Sequence, residues 1–145
     1  MAGPAEVLLA FDYGARRIGV AVGQSLTGSA SPAGTVAVAA APDWVALEQL
    51  IRRWSPTRLL VGLPYNMDGS ETVLTGVCRA FARELARRSG LPVDFVDERL
   101  TSVAAQADLR EARRSGARTR RVRREDIDAN AARLILETWL REHRT

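Results

Sequence analysis

Val7-Leu8-Leu9-Ala10-Phe11-Asp12-Tyr13-Gly14, with Ile18-Gly19-Val20-Ala21-Val22 close behind it, is the stretch from which the fold can be worked out. The first run is apolar at almost every position until Asp12, the pattern of a strand buried on both faces, and Tyr13-Gly14 supplies a turn. The second run reads as another strand, and the short connection between them makes an antiparallel hairpin. Outward from this hairpin, Gly34 to Ala39 supplies a third strand, and Pro42-Asp43 opens a helix carrying Trp44, Leu47, Leu50, Ile51 and Trp54 at helical spacing.

Beyond that helix, strands and helices alternate. Leu59 to Gly62 is a short buried strand, and Ser70 is placed to cap a helix running to about Arg88, with Gly90 and Pro92 stopping it. Val93 to Val96 is the last strand. Thr101 is placed to cap a helix to about Arg113, Ser115 to Arg124 reads as a mobile basic loop, and a final helix spans about Asp126 to Arg141. The predicted fold class is α/β: a mixed five-stranded sheet, antiparallel in its first three strands and parallel in the remainder, flanked by helices. Residues 1–145 are read as one domain, a length that supports a single core.

Composition narrows the chemistry. No apolar run approaches the roughly 20 residues that span a bilayer, and the start Met1-Ala2-Gly3-Pro4 lacks a basic signal region, so a cytoplasmic protein with no membrane contact is expected. Cys78 is the one cysteine and falls in a helical pattern between Val77 and Phe81, where a small buried residue is the reading. His143 is the one histidine and sits in the polar tail, which leaves histidine-ligated metal and serine–histidine catalysis without their parts. Any chemistry must come from carboxylates. All 21 basic residues are arginine and the net charge is +4, a surplus that favours a polyanionic partner.

Three acids stand at places where such chemistry is found. Asp12 closes the first buried strand, at the carboxyl end where open α/β sheets place their ligands. Asp97-Glu98 follows the last strand. Because side chains alternate along a strand, one of these two acids faces the same side as Asp12, and Glu98 is chosen. Asp128 begins the final helix and, at about 100° per residue, lies about 20° from both Ile135 and Trp139 on the apolar arc. An acid on a buried arc needs a partner, and a metal is one. Asp12, Glu98 and Asp128 are therefore the candidate catalytic and metal-binding residues. An all-oxygen set of this kind suits Mg2+ or Mn2+ and points to phosphate chemistry that needs no histidine base.

Substrate contacts are expected from three further places. In Leu63-Pro64-Tyr65-Asn66-Met67-Asp68-Gly69-Ser70, Asn66 and Asp68 exceed what a turn and a cap require. Arg16 and Arg17 follow Asp12, and Arg99 follows Glu98. Arg118, Arg120, Arg121, Arg123 and Arg124 belong to a run of eight arginines between Arg110 and Arg124 with a single acid, Glu111, which should attract a nucleic acid. The three tryptophans, Trp44, Trp54 and Trp139, fall at core-facing helical positions.

Four segments together resemble the signature blocks of the YqgF family, also called RuvX: Phe11 to Ala21, Val61 to Gly69, Val96 to Ser102 and Asp128 to Glu137. They occur in the family's order and span nearly the whole chain. The resemblance implies a ribonuclease H-like fold and a Holliday-junction-resolvase-like nuclease that matures precursor 16S ribosomal RNA. It also implies catalytic acids at Asp12, in the Asp97-Glu98-Arg99 block, and at Asp128. Asn130 departs from the small residue expected there, and arginines replace the usual lysines.

The function expected is a divalent-metal nuclease acting on precursor rRNA, as a monomer or homodimer. Cleavage of branched or single-stranded DNA is the first alternative, and a non-catalytic RNA-binding assembly factor the second. Asp12-Tyr13-Gly14 also resembles the opening of actin-like ATPases, but those need two such domains around a nucleotide.

Overall fold

The computed structural model describes the backbone of residues 5–100 and 124–143, and the side chains of residues 5–100 and 129–143. The helix expected from Thr101 and the basic stretch through Arg118, Arg120, Arg121 and Arg123 lie outside the described residues, and Arg124 is described by its backbone alone.

Strands β1 (Val7–Tyr13), β2 (Arg17–Gln24), β3 (Ser29–Ala37), β4 (Arg58–Leu63) and β5 (Val93–Asp97) form one sheet in the order β3-β2-β1-β4-β5. The β1–β2 and β2–β3 pairs are antiparallel, while β1–β4 and β4–β5 are parallel. This is the mixed sheet expected. In the first hairpin the Gly14 amide donates to the Arg17 carbonyl at 2.9 Å, and a Cβ on Gly14 would stand 2.8 Å from that oxygen, so the tight turn needs glycine.

β3 starts earlier and ends earlier than its apolar residues suggest. Its first half, Ser29-Ala30-Ser31-Pro32, is small and polar, yet β2 holds it in register as an edge strand, with a shift at Val20/Ala21. An edge position tolerates the missing amide of Pro32.

Helix α1 (Trp44–Trp54) begins as expected, with Asp43 accepting from the Ala46 amide at 3.1 Å. Helix α2 (Val73–Ser89) is capped by Thr72 rather than Ser70: the Thr72 hydroxyl accepts from the Thr75 amide while the Thr75 hydroxyl accepts from the Thr72 amide. This reciprocal box satisfies two helix-start donors at once. Gly90, at φ 71°, closes the helix in the left-handed region.

Alternation along the strands divides the core in two. Leu9, Phe11, Leu59 and Val61 face α1 and α2, packing against Leu47, Phe81 and Leu85. Leu8, Ala10, Leu60 and Val96 face the last helix, α3 (Arg124–Glu142), packing against Ala132, Ile135, Leu136 and Trp139. Trp44 packs against Phe81 at 5.6 Å between ring centres, and Trp139 is buried. Trp54 corrects the expectation: it is 36% exposed, under the guanidinium of Arg53 at 5.4 Å. Cys78 is buried as expected, and burial, with help from Glu98 and Asp12, pushes its thiol up to about 12, so it is unreactive at neutral pH. Among the described residues no helix is long and apolar enough to cross a membrane.

At the amino ends of the strands, Arg58 on β4 ties the layers together. Its Nε donates to Glu6 at 3.0 Å and its Nη1 to both oxygens of Asp94 at 3.2 Å, while the Trp139 indole N–H donates to Asp94 at 3.0 Å.

Candidate active site

The same alternation carries Asp12 to the α3 face. It follows Leu8 and Ala10 by twos, and Glu98 follows Val96 in the same way. The Glu98 amide donates to the Leu63 carbonyl at 3.0 Å, which extends the β4–β5 ladder by one residue and fixes the side to which Glu98 turns.

Asp12 and Glu98 meet through a side-chain hydrogen bond. Burial raises the Asp12 carboxyl, and the bond from Glu98 partly offsets this. Burial first, then the bond to Asp12, then the charges of Asp12 and Asp97 push Glu98 up to about 9. The pair is therefore two carboxyl groups sharing one proton, with Glu98 donating and Asp12 accepting.

Asp97 is held apart from them. Its oxygens take the Arg99 guanidinium at 2.6–3.1 Å and the Arg99 amide at 2.9 Å, and Arg99 holds its carboxyl below the usual range. Of the two neighbouring acids, Glu98 is the one brought to Asp12.

Gly62 makes the meeting possible, and sequence reasoning passed over it. It lies on β4 one residue beyond the Phe11–Val61 pair, beside Asp12. A Cβ there would stand 2.8 Å from Glu98 Oε1 and 2.6 Å from Ile135 Cδ1. The signal available in the sequence was a glycine interrupting a buried apolar strand, which marks close approach.

Helix α3 runs along this face toward the same edge. Trp139 touches Asp94 near the start of β5, and Ile135 touches Gly62 at the end of β4, so the helix N-terminus points to the carboxyl ends of the strands. Ala132, Ile135 and Trp139 form a buried stripe, and backbone position 128 continues it one turn above Ala132. The side chain of Asp128 lies outside the described residues, and among those described no group of three His, Cys, Asp or Glu is assembled to hold a metal.

The expected substrate contacts have definite places. Arg16 is exposed and Arg17 half-buried on the connection after Asp12. Asn66 and Asp68 are exposed, but their side chains build the loop: Asn66 Nδ2 donates to Ser70 Oγ at 2.9 Å, and Asp68 accepts from the Ser70 amide at 2.9 Å and hydroxyl at 2.6 Å. The Ser70 donors also hold the Asp68 carboxyl below its usual range. Turn formation thus accounts for residues that looked superfluous in sequence. Arg99 directs its donors to Asp97 and lays its guanidinium over the Tyr65 ring at 5.5 Å.

The family model of RuvX, described as Holliday junction resolvase, matches residues 6–142. The chain belongs to the RuvX family. Its relatives include a protein of Nitrosococcus oceani, 49% identical over 97% of this chain and 90% of its own length, and one of Legionella pneumophila, 45% identical over 96% and 98%. Both carry the name "Putative pre-16S rRNA nuclease". Among solved structures, Thermus thermophilus RuvC in complex with a Holliday junction substrate superposes with a TM-score of 0.59 at 17% identity, covering 94% of each chain. The yeast mitochondrial Holliday junction resolvase Ydc2 follows at 0.54 and 12%, covering 92% of this chain and 77% of its own. These likenesses establish the ribonuclease H-like fold of this RuvX member, as its motifs implied.

Proposed function

We propose that this chain is a nuclease that hydrolyses phosphodiester bonds of precursor 16S ribosomal RNA in the cytoplasm, using a divalent cation held by Asp12, Glu98 and Asp128. The observation that carries the reading is the Asp12–Glu98 pair, two carboxyl groups pressed together at the carboxyl end of the sheet where one must hold a proton. Structural acids are normally matched with a base, as Asp94 is with Arg58 and Asp97 with Arg99. Two acids matched with each other form an arrangement that a dication relieves.

The donors fit such an ion. They are hard oxygens, Asp12 and Glu98 are partly open to solvent, and backbone position 128 lies on a helix stripe directed at the same edge. Mg2+ or Mn2+ bound there would supply the charge that acidifies water and steadies the departing oxygen of the phosphodiester. The chain's own work is to position and to attract. Gly62 and the β4–β5 ladder set Glu98 against Asp12. Arg16 and Arg17 stand on the connection after Asp12, and the arginines at 118, 120, 121, 123 and 124 add positive charge in the sequence that leads into α3. The names of the relatives favour precursor rRNA as substrate; the family description and the likeness to RuvC favour branched DNA as the second reading.

Labelled precursor 16S rRNA, single strands and four-way DNA junctions incubated with Mg2+ or Mn2+ test this directly, comparing the unaltered chain with Asp12→Asn and Asp128→Asn. Metal-dependent cutting of the precursor, lost in both variants, is the expected result. Cutting confined to junctions selects the second reading. RNA binding without cleavage of any substrate, unchanged by either substitution, refutes a nuclease and leaves a non-catalytic assembly factor.

A further inference from the structure

On the α2 side of the sheet, one residue from the carboxylate pair, aromatic and guanidinium groups alternate in a row: Arg99, Tyr65, Arg79, Phe95. The Arg99 guanidinium lies 5.5 Å over the Tyr65 ring, Arg79 donates to the Tyr65 hydroxyl at 2.9 Å, and the Arg79 guanidinium lies 5.5 Å over the Phe95 ring. Phe95 stands on the sheet edge with 44% of its surface open to solvent. We infer that this row is a stacking platform for unpaired nucleotides of the strand being cut, with Phe95 as its outer step; the inference rests on the nuclease reading above.

Both guanidinium groups are already paired. Asp97 takes Arg99 through both of its oxygens, and Glu71 takes Arg79 Nε at 2.5 Å. A paired guanidinium offers little free charge to a phosphate, but its position is fixed, and each of the two lies over a ring of the row. Flat rings and flat guanidinium groups in fixed planes recognise nucleobases, which stack on either. In a duplex each base already lies between its neighbours, so the row selects nucleotides that are unpaired. The row ends at Arg99, at the carboxyl edge of the sheet and on the face opposite Glu98, so a strand lying on it has only that edge to cross to reach the carboxylates. The surplus positive charge of the whole chain, +4, brings the polyanion to the surface without the row itself having to be basic.

The test uses the full chain, Ca2+ in place of Mg2+ to hold cleavage off, and fluorescence anisotropy. The probes are an unstructured RNA of about twelve nucleotides, within the span such grooves cover, and the blunt duplex of the same sequence. Phe95→Ala should weaken the single strand about tenfold and leave the duplex unchanged, and Phe95→Trp should restore the affinity. Arg79→Lys, which keeps the charge and loses the plane, should weaken the single strand as well. Because Phe95 is half exposed, its replacement leaves the core intact, which a melting curve checks.

Single-strand affinity within twofold of the unaltered chain in Phe95→Ala, equal loss on strand and duplex, or no measurable single-strand binding at all would overturn the inference. Cleavage assays run in parallel separate the two readings. Binding that depends on Phe95 in a chain that cuts nothing retains the platform and refutes the nuclease. Cutting by a chain whose binding ignores Phe95 does the reverse.

Discussion

Replacing Gly62 with alanine places one methyl group where the candidate site has no room for it. The new carbon would stand 2.6 Å from Ile135 Cδ1, 2.8 Å from Glu98 Oε1 and 2.9 Å from Glu98 Cγ. Carbon atoms pack at about 3.5–4.0 Å, so the side chains of Ile135 and Glu98 must each retreat by about 1 Å. Overpacking of this kind costs about 1–3 kcal/mol, and losing the glycine's freedom in the unfolded chain returns about 0.5–1 kcal/mol. The net loss of about 1–2 kcal/mol should lower Tm by about 3–8 °C, a folded protein still. Displacing a catalytic group by about 1 Å costs on the order of a hundredfold in rate. Melting curves and metal-dependent cleavage, measured on the same preparations, should therefore show a small thermal effect and a large kinetic one. Gly76→Ala is the control: a Cβ at Gly76 meets nothing within 4 Å, and alanine there favours helix α2. If Gly62→Ala retains full activity, or loses only the fraction that has unfolded, the placing of Glu98 by Gly62 is wrong.

The shared proton predicts an unusual pH profile. Above the ordinary glutamate value of 4.5 the unfolded chain releases a proton that Glu98 keeps in the fold, so this group opposes folding increasingly as pH rises toward about 9. At pH 7 the penalty is about 3 kcal/mol at most, so in metal-free buffer Glu98→Gln should melt several degrees above the unaltered chain, the gap widening from pH 5 to pH 9. Adding Mg2+ should raise the Tm of the unaltered chain and leave that of Glu98→Gln nearly still; equal responses would count against the metal. Thr72→Ala removes the reciprocal cap of α2 and should cost about 1 kcal/mol, read as a fall of the urea midpoint, where Ser70→Ala should cost α2 little because Ser70 is not its cap. Trp139→Phe, which deletes the indole bond to Asp94 while keeping most of the apolar surface, should reduce cleavage more than it reduces Tm. Unchanged cleavage would show that α3 is positioned by its apolar stripe alone.

Much of the site could be read from local pattern because period-two alternation is a strong constraint. Once Val7 to Asp12 and Val93 to Val96 are strands, parity sends one of Asp97 and Glu98 to the layer of Asp12 without saying which, and the structure brings Glu98, the acid chosen, into contact with Asp12. What escaped was everything decided by register between distant elements. Gly62 matters because Ile135, far along the chain, packs onto it; a glycine within a buried strand signals a close approach, but no local pattern says which residue approaches. The start of α2 fell between two hydroxyl residues, and the reciprocal bond from Thr75 decided for Thr72. Asn66 and Asp68 looked like surplus acceptors because the backbone path that turns both toward Ser70 was not visible. Trp54 obeys the helical spacing of its neighbours, but it is the last residue of α1, and no further turn of that helix follows to cover it.

Trp139 and backbone position 128 lie eleven residues apart on α3, about 16 Å at about 1.5 Å per residue. The helix is thus a lever whose fulcrum is the Asp94–Arg58 knot at the foot of the sheet and whose tip carries Asp128, the acid proposed as third of the set. A tilt of about 4° at the fulcrum sweeps the tip by about 1 Å, as far as the alanine at Gly62 would push Glu98. Substitutions at the foot, remote from any phosphate, should therefore be felt at the cutting edge, and tolerance to change along this face should be judged by angle rather than by proximity.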